Sequence, residues 1–242
     1  MVTGGARGIG RAIADHLSDI GYRVAIIDRL EVQAQAAATE IGGGAQAYGL
    51  DIRDGEAVAR AISDILETMG TPWLLVNNAG WDQPKPFLET TPGDWNEIIA
   101  VNLLGPLNLH HLLLPHMAAA GGGRVVNIAS ESARVGQANV AVYSACKGGV
   151  IALTRSLARE FADRKVLLNV ISPGLTMTPM IEDVMGAGPE ATAWAEGIAA
   201  TIPLGRPGQP EDYPAAVAFL AGDGAGFITG QTLSISGGRT MT

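Results

Sequence analysis

The sequence predicts an α/β fold: a doubly wound parallel sheet flanked by helices on both faces, in a single domain spanning 1–242. Three observations predict it. Short apolar runs alternate with segments of helical period from one end of the chain to the other. The runs are apolar throughout, the pattern of strands buried on both faces. A glycine-rich turn, Thr3-Gly4-Gly5-Ala6-Arg7-Gly8-Ile9-Gly10, separates the first run from the first helical segment. Successive strand–helix–strand units of this kind close into a parallel sheet through right-handed crossovers.

The expected strands are Val24–Ile27, Ala45–Leu50, Leu74–Asn77, Arg124–Ala129 and Val166–Ile171. The expected helices are Arg11–Ile20, Glu31–Ile41, Asp54–Met69, Asp94–Met117, Tyr143–Ala162 and Glu211–Ala221. Ile9, Ile13, Leu17 and Ile20 share one face of the first helix, and Asp54 and Asp94 are placed as N-caps. The strand before the glycine turn has at most Met1–Thr3, against the ~5 residues of a usual strand, which points to residues preceding Met1. Periodicity weakens over Thr178–Pro210, rich in Met, Gly, Ala and Pro, where short helices are expected in a substrate flap. Neither repeat nor linker divides the chain.

Composition narrows the function. A chain of 242 residues, 47% hydrophobic, can bury a full core without disulfides or metal. Its 32 glycines are about twice the usual ~7% and point to tight turns and close backbone approaches. A net charge of -8 leaves no basic stripe for a nucleic acid. The single cysteine, Cys146, precludes an intrachain disulfide and fits a reducing, cytoplasmic compartment. No run of ~18 apolar residues predicts a membrane span. His16, His110, His111 and His116 make no metal site, because adjacent helical residues point ~100° apart and no Cys/Asp cluster joins them.

The chemistry-bearing motifs begin at the glycine turn. Gly4, Gly8 and Gly10 between a strand and a helix let backbone approach a pyrophosphate and aim helix N–H groups at its charge. A glycine-rich chain also makes such turns by chance, so context decides. Asp28 ends the second strand, 20 residues after Gly8, where a carboxylate accepts from a ribose 2′-OH and repels a 2′-phosphate. The plainer alternative is a strand-end turn residue. Arg7 and Arg29 flank the same region and would attract that phosphate. The carboxylate dominates in a partly buried site, so NAD is expected over NADP.

Farther on stand Asn77-Asn78-Ala79-Gly80 after a strand, Asn102 in a long helix, Ser130 at a strand end, and Tyr143 with Lys147. Tyr143 and Lys147 share a helix face at i and i+4. An ammonium there would lower the phenol pKa from ~10 toward neutrality. Alone, such a pair is more often a surface feature. Ser130 upstream and the glycine turn give it meaning.

With these motifs together, the chain resembles the short-chain dehydrogenase/reductase family, in its single-domain Rossmann-type branch, from residue 3 to the end. Asn169, Pro173-Gly174, Thr178, Ile228-Thr229-Gly230-Gln231 and Gly237-Gly238 extend the match. The resemblance implies that Tyr143 is the general acid/base and that Ser130 orients and polarises the substrate oxygen. Lys147 would lower the Tyr143 pKa and hold the nicotinamide ribose, and Asn102 would seat a water in the proton relay. Around NAD the resemblance places Gly4, Arg7, Gly8, Ile9, Gly10, Asp28, Asp51, Ile52, Asn78, Ala79, Gly80, Pro173, Gly174, Thr176 and Thr178, besides Tyr143 and Lys147. Asp51 would lie beside the adenine, and Thr178 with Ile171 near the carboxamide. Interconverting an alcohol and a ketone needs a proton carrier, a donor at the developing alkoxide and a hydride acceptor, which this set supplies.

The segments Trp81–Phe87, His110-His111 and Asn127–Gly136 look like the branch oxidising 2-hydroxycyclohexanecarbonyl-CoA. Trp81, Ser132, Val135, Met180, Met185 and Trp194 would then line a pocket for a ring, with Lys85 or Arg134 meeting a phosphate. The expected function is an NAD-dependent oxidoreductase interconverting a secondary alcohol and a ketone on a cyclic substrate. Alternatively, Trp81 and Phe87 merely pack their loop and the substrate is a free cyclic or aryl alcohol. A 3-oxoacyl-carrier-protein reductase shares the whole framework, though Asp28 and the acidic charge weigh against its usual NADP and basic docking surface. A non-catalytic dinucleotide sensor would lack Tyr143 or Lys147, and both are present. The leucines 103, 104, 107, 112 and 113, with Val150, Leu153, Leu157 and Phe161, exceed what one sheet face covers, and a homotetramer is expected.

Overall fold

The computed structural model describes residues 1–179, 181, 193 and 196–241. Its strands are Val2–Thr3 (β1), Ala25–Asp28 (β2), Gln46–Gly49 (β3), Leu74–Asn77 (β4), Gly123–Ile128 (β5), Val166–Pro173 (β6) and Thr232–Ile235 (β7). They form one parallel sheet in the order β3-β2-β1-β4-β5-β6-β7. The helices are Gly8–Asp19 (α1), Glu31–Ile41 (α2), Gly55–Thr68 (α3), Pro92–Ile99 (α4), Gly105–Ala119 (α5), Ser132–Val135 (α6), Ala141–Glu160 (α7) and Pro214–Ala221 (α8).

Two-residue alternation sends each strand into two cores. Val24 and Ile26 meet Ile13, Leu17, Ala34 and Val217 of α1, α2 and α8. Ala25 and Ile27 meet Val58, Ile62, Leu109, Leu113 and Ala158 of α3, α5 and α7 on the other face. The expectation of strands buried on both faces holds for β1, β2, β4, β5 and β6, whereas the edge strands β3 and β7 are half-exposed. That explains why β7 was absent from the expected strands. Its Thr-Leu-Ser-Ile alternates polar and apolar, as an edge strand does.

Helix starts show where capping overrides periodicity. Asp54 caps α3 as expected, accepting the Glu56 and Ala57 N–H groups at 3.0 Å. The cap of α4 is Thr91 rather than Asp94. Thr91 Oγ1 accepts the Asp94 N–H at 3.3 Å, and Asp94 accepts the Thr91 N–H at 2.8 Å, a reciprocal capping box. The expected single helix over 94–117 is a helical path from Pro92 to Ala119 with a π turn at Ala100–Leu104. Pro106 has no N–H to give the Asn102 carbonyl, four residues back, which favours that opening. By length and composition Pro92–Ala119 is the one helix among the described residues fit to cross a membrane. Here Leu109, Leu113, Leu114 and Met117 bury its second half against the sheet.

The expected flap over 178–210 falls partly outside the described residues, and Met180, Met185 and Trp194 lie there. Its far end is tied to the sheet: the Met177 N–H donates to the Gly208 carbonyl and the Gly208 N–H to the Leu175 carbonyl, each at 2.9 Å.

Candidate active site

The C-terminal ends of the strands open into a cleft of about 640 Å³ where β1 parts β2 from β4. In a doubly wound sheet this switch point is where ligands sit. The glycine turn forms one wall. Gly4 and Gly8 take positive φ of 64° and 59°, a backbone state that favours glycine. A Cβ on Gly10 would stand 2.1 Å from the Gly4 carbonyl oxygen, so α1 approaches the turn more closely than a side chain allows. Gly8 and Ile9 bring the start of α1 to the cleft, where its N–H groups lack helical partners. These features fit a dinucleotide pyrophosphate.

A second segment locks the turn. Thr3 Oγ1 accepts the Asn78 and Ala79 N–H groups at 3.1 and 3.0 Å, and Asn78 Nδ2 donates to the Thr3 and Gly4 carbonyls at 3.0 and 3.1 Å. At the end of β2, Asp28 lines the cleft beside Arg29, and its two oxygens accept the Ala6 and Leu30 N–H groups, both at 3.0 Å. Asp51 lies near, paired with Arg53 at 2.6 Å, and Arg53 hydrogen bonds hold its carboxyl below the usual range against the opposing effect of burial.

Ser130 follows β5, and Tyr143 and Lys147 project from α7. The Ser132 N–H and O–H donate to Ser130 Oγ at 3.2 and 3.0 Å, and the Ser130 hydroxyl acts on the nearby Tyr143 phenol, easing its ionisation. Ser132, expected in the substrate pocket, lines the cleft and is held there by its bonds to Ser130. Lys147 is buried, with Nζ donating to the Ile128 carbonyl at 2.9 Å and lying 5.6 Å from the centre of the Tyr143 ring. The phenol is not lowered as expected. Burial first, then the charge of Asp82, pushes it above its ordinary value, and the nearby Ser130 hydroxyl only partly offsets them. Burial brings the Lys147 ammonium down to about 8, which weakens it as a cation for the phenol.

Asn102 lies wholly buried in the π turn and does not line the cleft. A Cβ on Gly80 would stand 3.0 Å from its Oδ1 and 3.2 Å from Lys147 Nζ, so glycine alone lets these two groups flank residue 80. Gly10 also lies behind the wall, and Ile171 is in the core beneath it. The other expected cofactor residues line the cleft: Gly4, Arg7, Gly8, Ile9, Asp28, Asp51, Ile52, Asn78, Ala79, Gly80, Tyr143, Lys147, Pro173, Gly174, Thr176 and Thr178. Trp81 and Val135 line its substrate end. Lys85 and Arg134 are engaged elsewhere, with Asp94 at 3.4 Å and Glu131 at 3.5 Å.

Sequence reasoning missed Asn139 and the tail residues Arg239 and Thr240, and gave no separate role to Asp82 and Glu131 within the segments it placed at the substrate; all five line the cleft. Thr240 hydrogen-bonds Glu131, which brings the chain end to the site. Asp82 could have been suspected from its place directly after Trp81 in the loop leaving β4.

A family model described as enoyl-(acyl carrier protein) reductase matches residues 4–240. Acetoacetyl-CoA reductase of Rhizobium meliloti is 40% identical over 239 residues, covering 99% of this chain and 97% of its own. The 3-oxoacyl-[acyl-carrier-protein] reductase FabG of Escherichia coli is 35% identical over 241 residues, covering 100% and 96%. The crystal structure of 3-ketoacyl-(acyl-carrier-protein) reductase from Brucella melitensis, complexed with NADH, superposes with a TM-score of 0.91 at 31% identity, covering 99% of this chain and 96% of that one.

Proposed function

The chain belongs to the short-chain dehydrogenase/reductase family, and on that premise we propose that it is an NADH-dependent reductase of 3-oxoacyl thioesters. The carrying observation is that Ser130, Tyr143 and Lys147 line the same cleft that the glycine turn begins. A 3-oxo group seated there receives two hydroxyl hydrogen bonds on one oxygen. As hydride reaches the carbon and charge grows on that oxygen, Tyr143 gives up its proton and Ser130 stabilises what remains. A phenol held above its ordinary pKa by burial stays protonated until then, which suits reduction. Lys147, anchored on the Ile128 carbonyl, stands beside the ring to balance the tyrosinate that forms. NADH, when bound, supplies the hydride.

The substrate class rests on the relatives, whose names speak of acetoacetyl-CoA and of 3-oxoacyl carrier proteins. The cyclic substrate expected from the loop sequences has no counterpart among them, and the alternative drawn from the shared framework replaces it. Asp28 at the ribose end favours NADH over NADPH. The net charge of -8 weighs against docking of an acidic carrier protein. A cytoplasmic location accords with that substrate.

Steady-state reduction of acetoacetyl-CoA with each cofactor tests the reading. Expected is turnover with kcat/KM at least ~10-fold higher for NADH, a difference of about 1.4 kcal/mol. Turnover of 2-oxocyclohexanecarbonyl-CoA with none of acetoacetyl-CoA would restore the ring substrate instead.

A further inference from the structure

Asp82 is a carboxylate in the cleft wall to which the proposed chemistry gives no task. Its segment is fixed at both ends. Asn102 grips both backbone groups of Trp81, and the Lys85 N–H donates to the Asn139 carbonyl at 2.8 Å. The Asp82 Oδ1 is buried with no hydrogen-bond partner among the described residues. Lys85, the nearest cation along the chain, is turned to Asp94. Asp82 shares this wall with Ser130 and Tyr143, and its charge reaches the phenol. Burial holds its own titration up at about 6, so it is an anion above neutrality.

We propose that Asp82 is a specificity-determining residue of the acyl pocket: the charge it brings to the wall shared with Ser130 and Tyr143 rejects substrates with a carboxylate beside the reacting ketone. The inference builds on the thioester reading. A 3-oxoacyl thioester is uncharged beside the ketone, whereas the free 3-oxo acid puts an anion two bonds from the reacting carbon. Two like charges ~6 Å apart at an effective dielectric of ~20 weaken binding on the order of 100-fold.

The test is binding of acetoacetate to the enzyme–NADH complex at about pH 8, followed by NADH fluorescence. Asp82→Asn keeps the size and removes the charge. Expected is acetoacetate affinity at least ~10-fold tighter in Asp82→Asn than in the unmodified chain, with NADH affinity unchanged. Equal acetoacetate affinity in the two proteins, or undetectable binding in both, overturns the proposal. If Asp82→Asn no longer binds NADH, Asp82→Ser is judged by the same criterion. Because the readout needs no turnover, the two readings fail separately. Tightened acetoacetate binding without acetoacetyl-CoA reduction sinks the thioester reading alone, and reduction with unaltered acetoacetate binding sinks the role of Asp82 alone.

Discussion

Asn102 holds both backbone groups of Trp81: its Oδ1 accepts the Trp81 N–H at 3.2 Å, and its Nδ2 donates to the Trp81 carbonyl at 2.6 Å. A third bond, from Nδ2 to the Ile98 carbonyl at 2.9 Å, fixes the amide to its own helix. The loop leaving β4 is therefore positioned by the π turn between α4 and α5.

Asn102→Ala removes this clamp and leaves the Trp81 N–H and carbonyl unpaired in a buried setting. We expect a stability loss of about 2–4 kcal/mol by urea unfolding, with KM for the acyl substrate raised more than the Kd of NADH. Unchanged stability would show that water replaces the amide and that the loop holds itself.

Asp28→Ala should narrow or reverse the preference for NADH over NADPH, because it removes the 2′-OH acceptor and leaves Arg7 and Arg29 in the cleft wall. It also frees the Ala6 and Leu30 N–H groups, so a modest loss of stability is expected alongside. The comparison is of kcat/KM ratios for the two cofactors. A ratio within twofold of the unmodified enzyme means that Asp28 does not face the ribose.

Acid should destabilise the fold through His110. The buried ring meets the Pro106 carbonyl through Nδ1 at 2.6 Å and the Asn127 amide through Nε2 at 3.3 Å, an arrangement met by the neutral ring. Burial lowers its pKa to about 4, against 6.5 in the unfolded chain. Between those values the unfolded chain binds the extra proton and the folded one does not. Stability is thus full above about pH 6.5 and falls toward pH 4, by about 3 kcal/mol over the interval. His110→Asn should flatten that part of a pH series of urea midpoints, and an equally steep series would assign the slope to other groups.

The expected tetramer has partial footing in the exposed surface. Leu104 and Leu107 are 48% and 37% exposed, and near β7 Phe219, Phe227 and Leu233 stand open at 50%, 104% and 42%. Leu113, Val150 and Phe161 belong to the core instead. Light scattering should give about 100 kDa, four times the 25.0 kDa chain. A mass near that of one or two chains would mean that these side chains stay in water.

Legibility followed locality. The inner strands and α2 could be read from the chain because apolar runs and glycine punctuation are local signals, and the Gly4, Ser130, Tyr143 and Lys147 set carries its own spacing. β7 was illegible as a buried strand because an edge position lets it alternate. Thr91 was hidden by Asp94, since both members of a capping box look like caps. The rank of the electrostatic effects at Tyr143 depends on how deeply the fold sinks the phenol, which spacing does not encode. Asp82 stands out only once its loop is folded and one oxygen is found without a donor.

The central claim, that Tyr143 delivers the proton in an NADH-dependent carbonyl reduction, is tested most directly by Tyr143→Phe. The phenylalanine keeps the ring against Lys147 and removes only the hydroxyl near Ser130. The measurement is the single-turnover rate of acetoacetyl-CoA reduction, with NADH affinity determined on the same protein. The account predicts a rate lower by ~10²–10⁴ with NADH affinity within a few-fold. A variant retaining more than about a tenth of the rate would contradict it and leave the proton to another group.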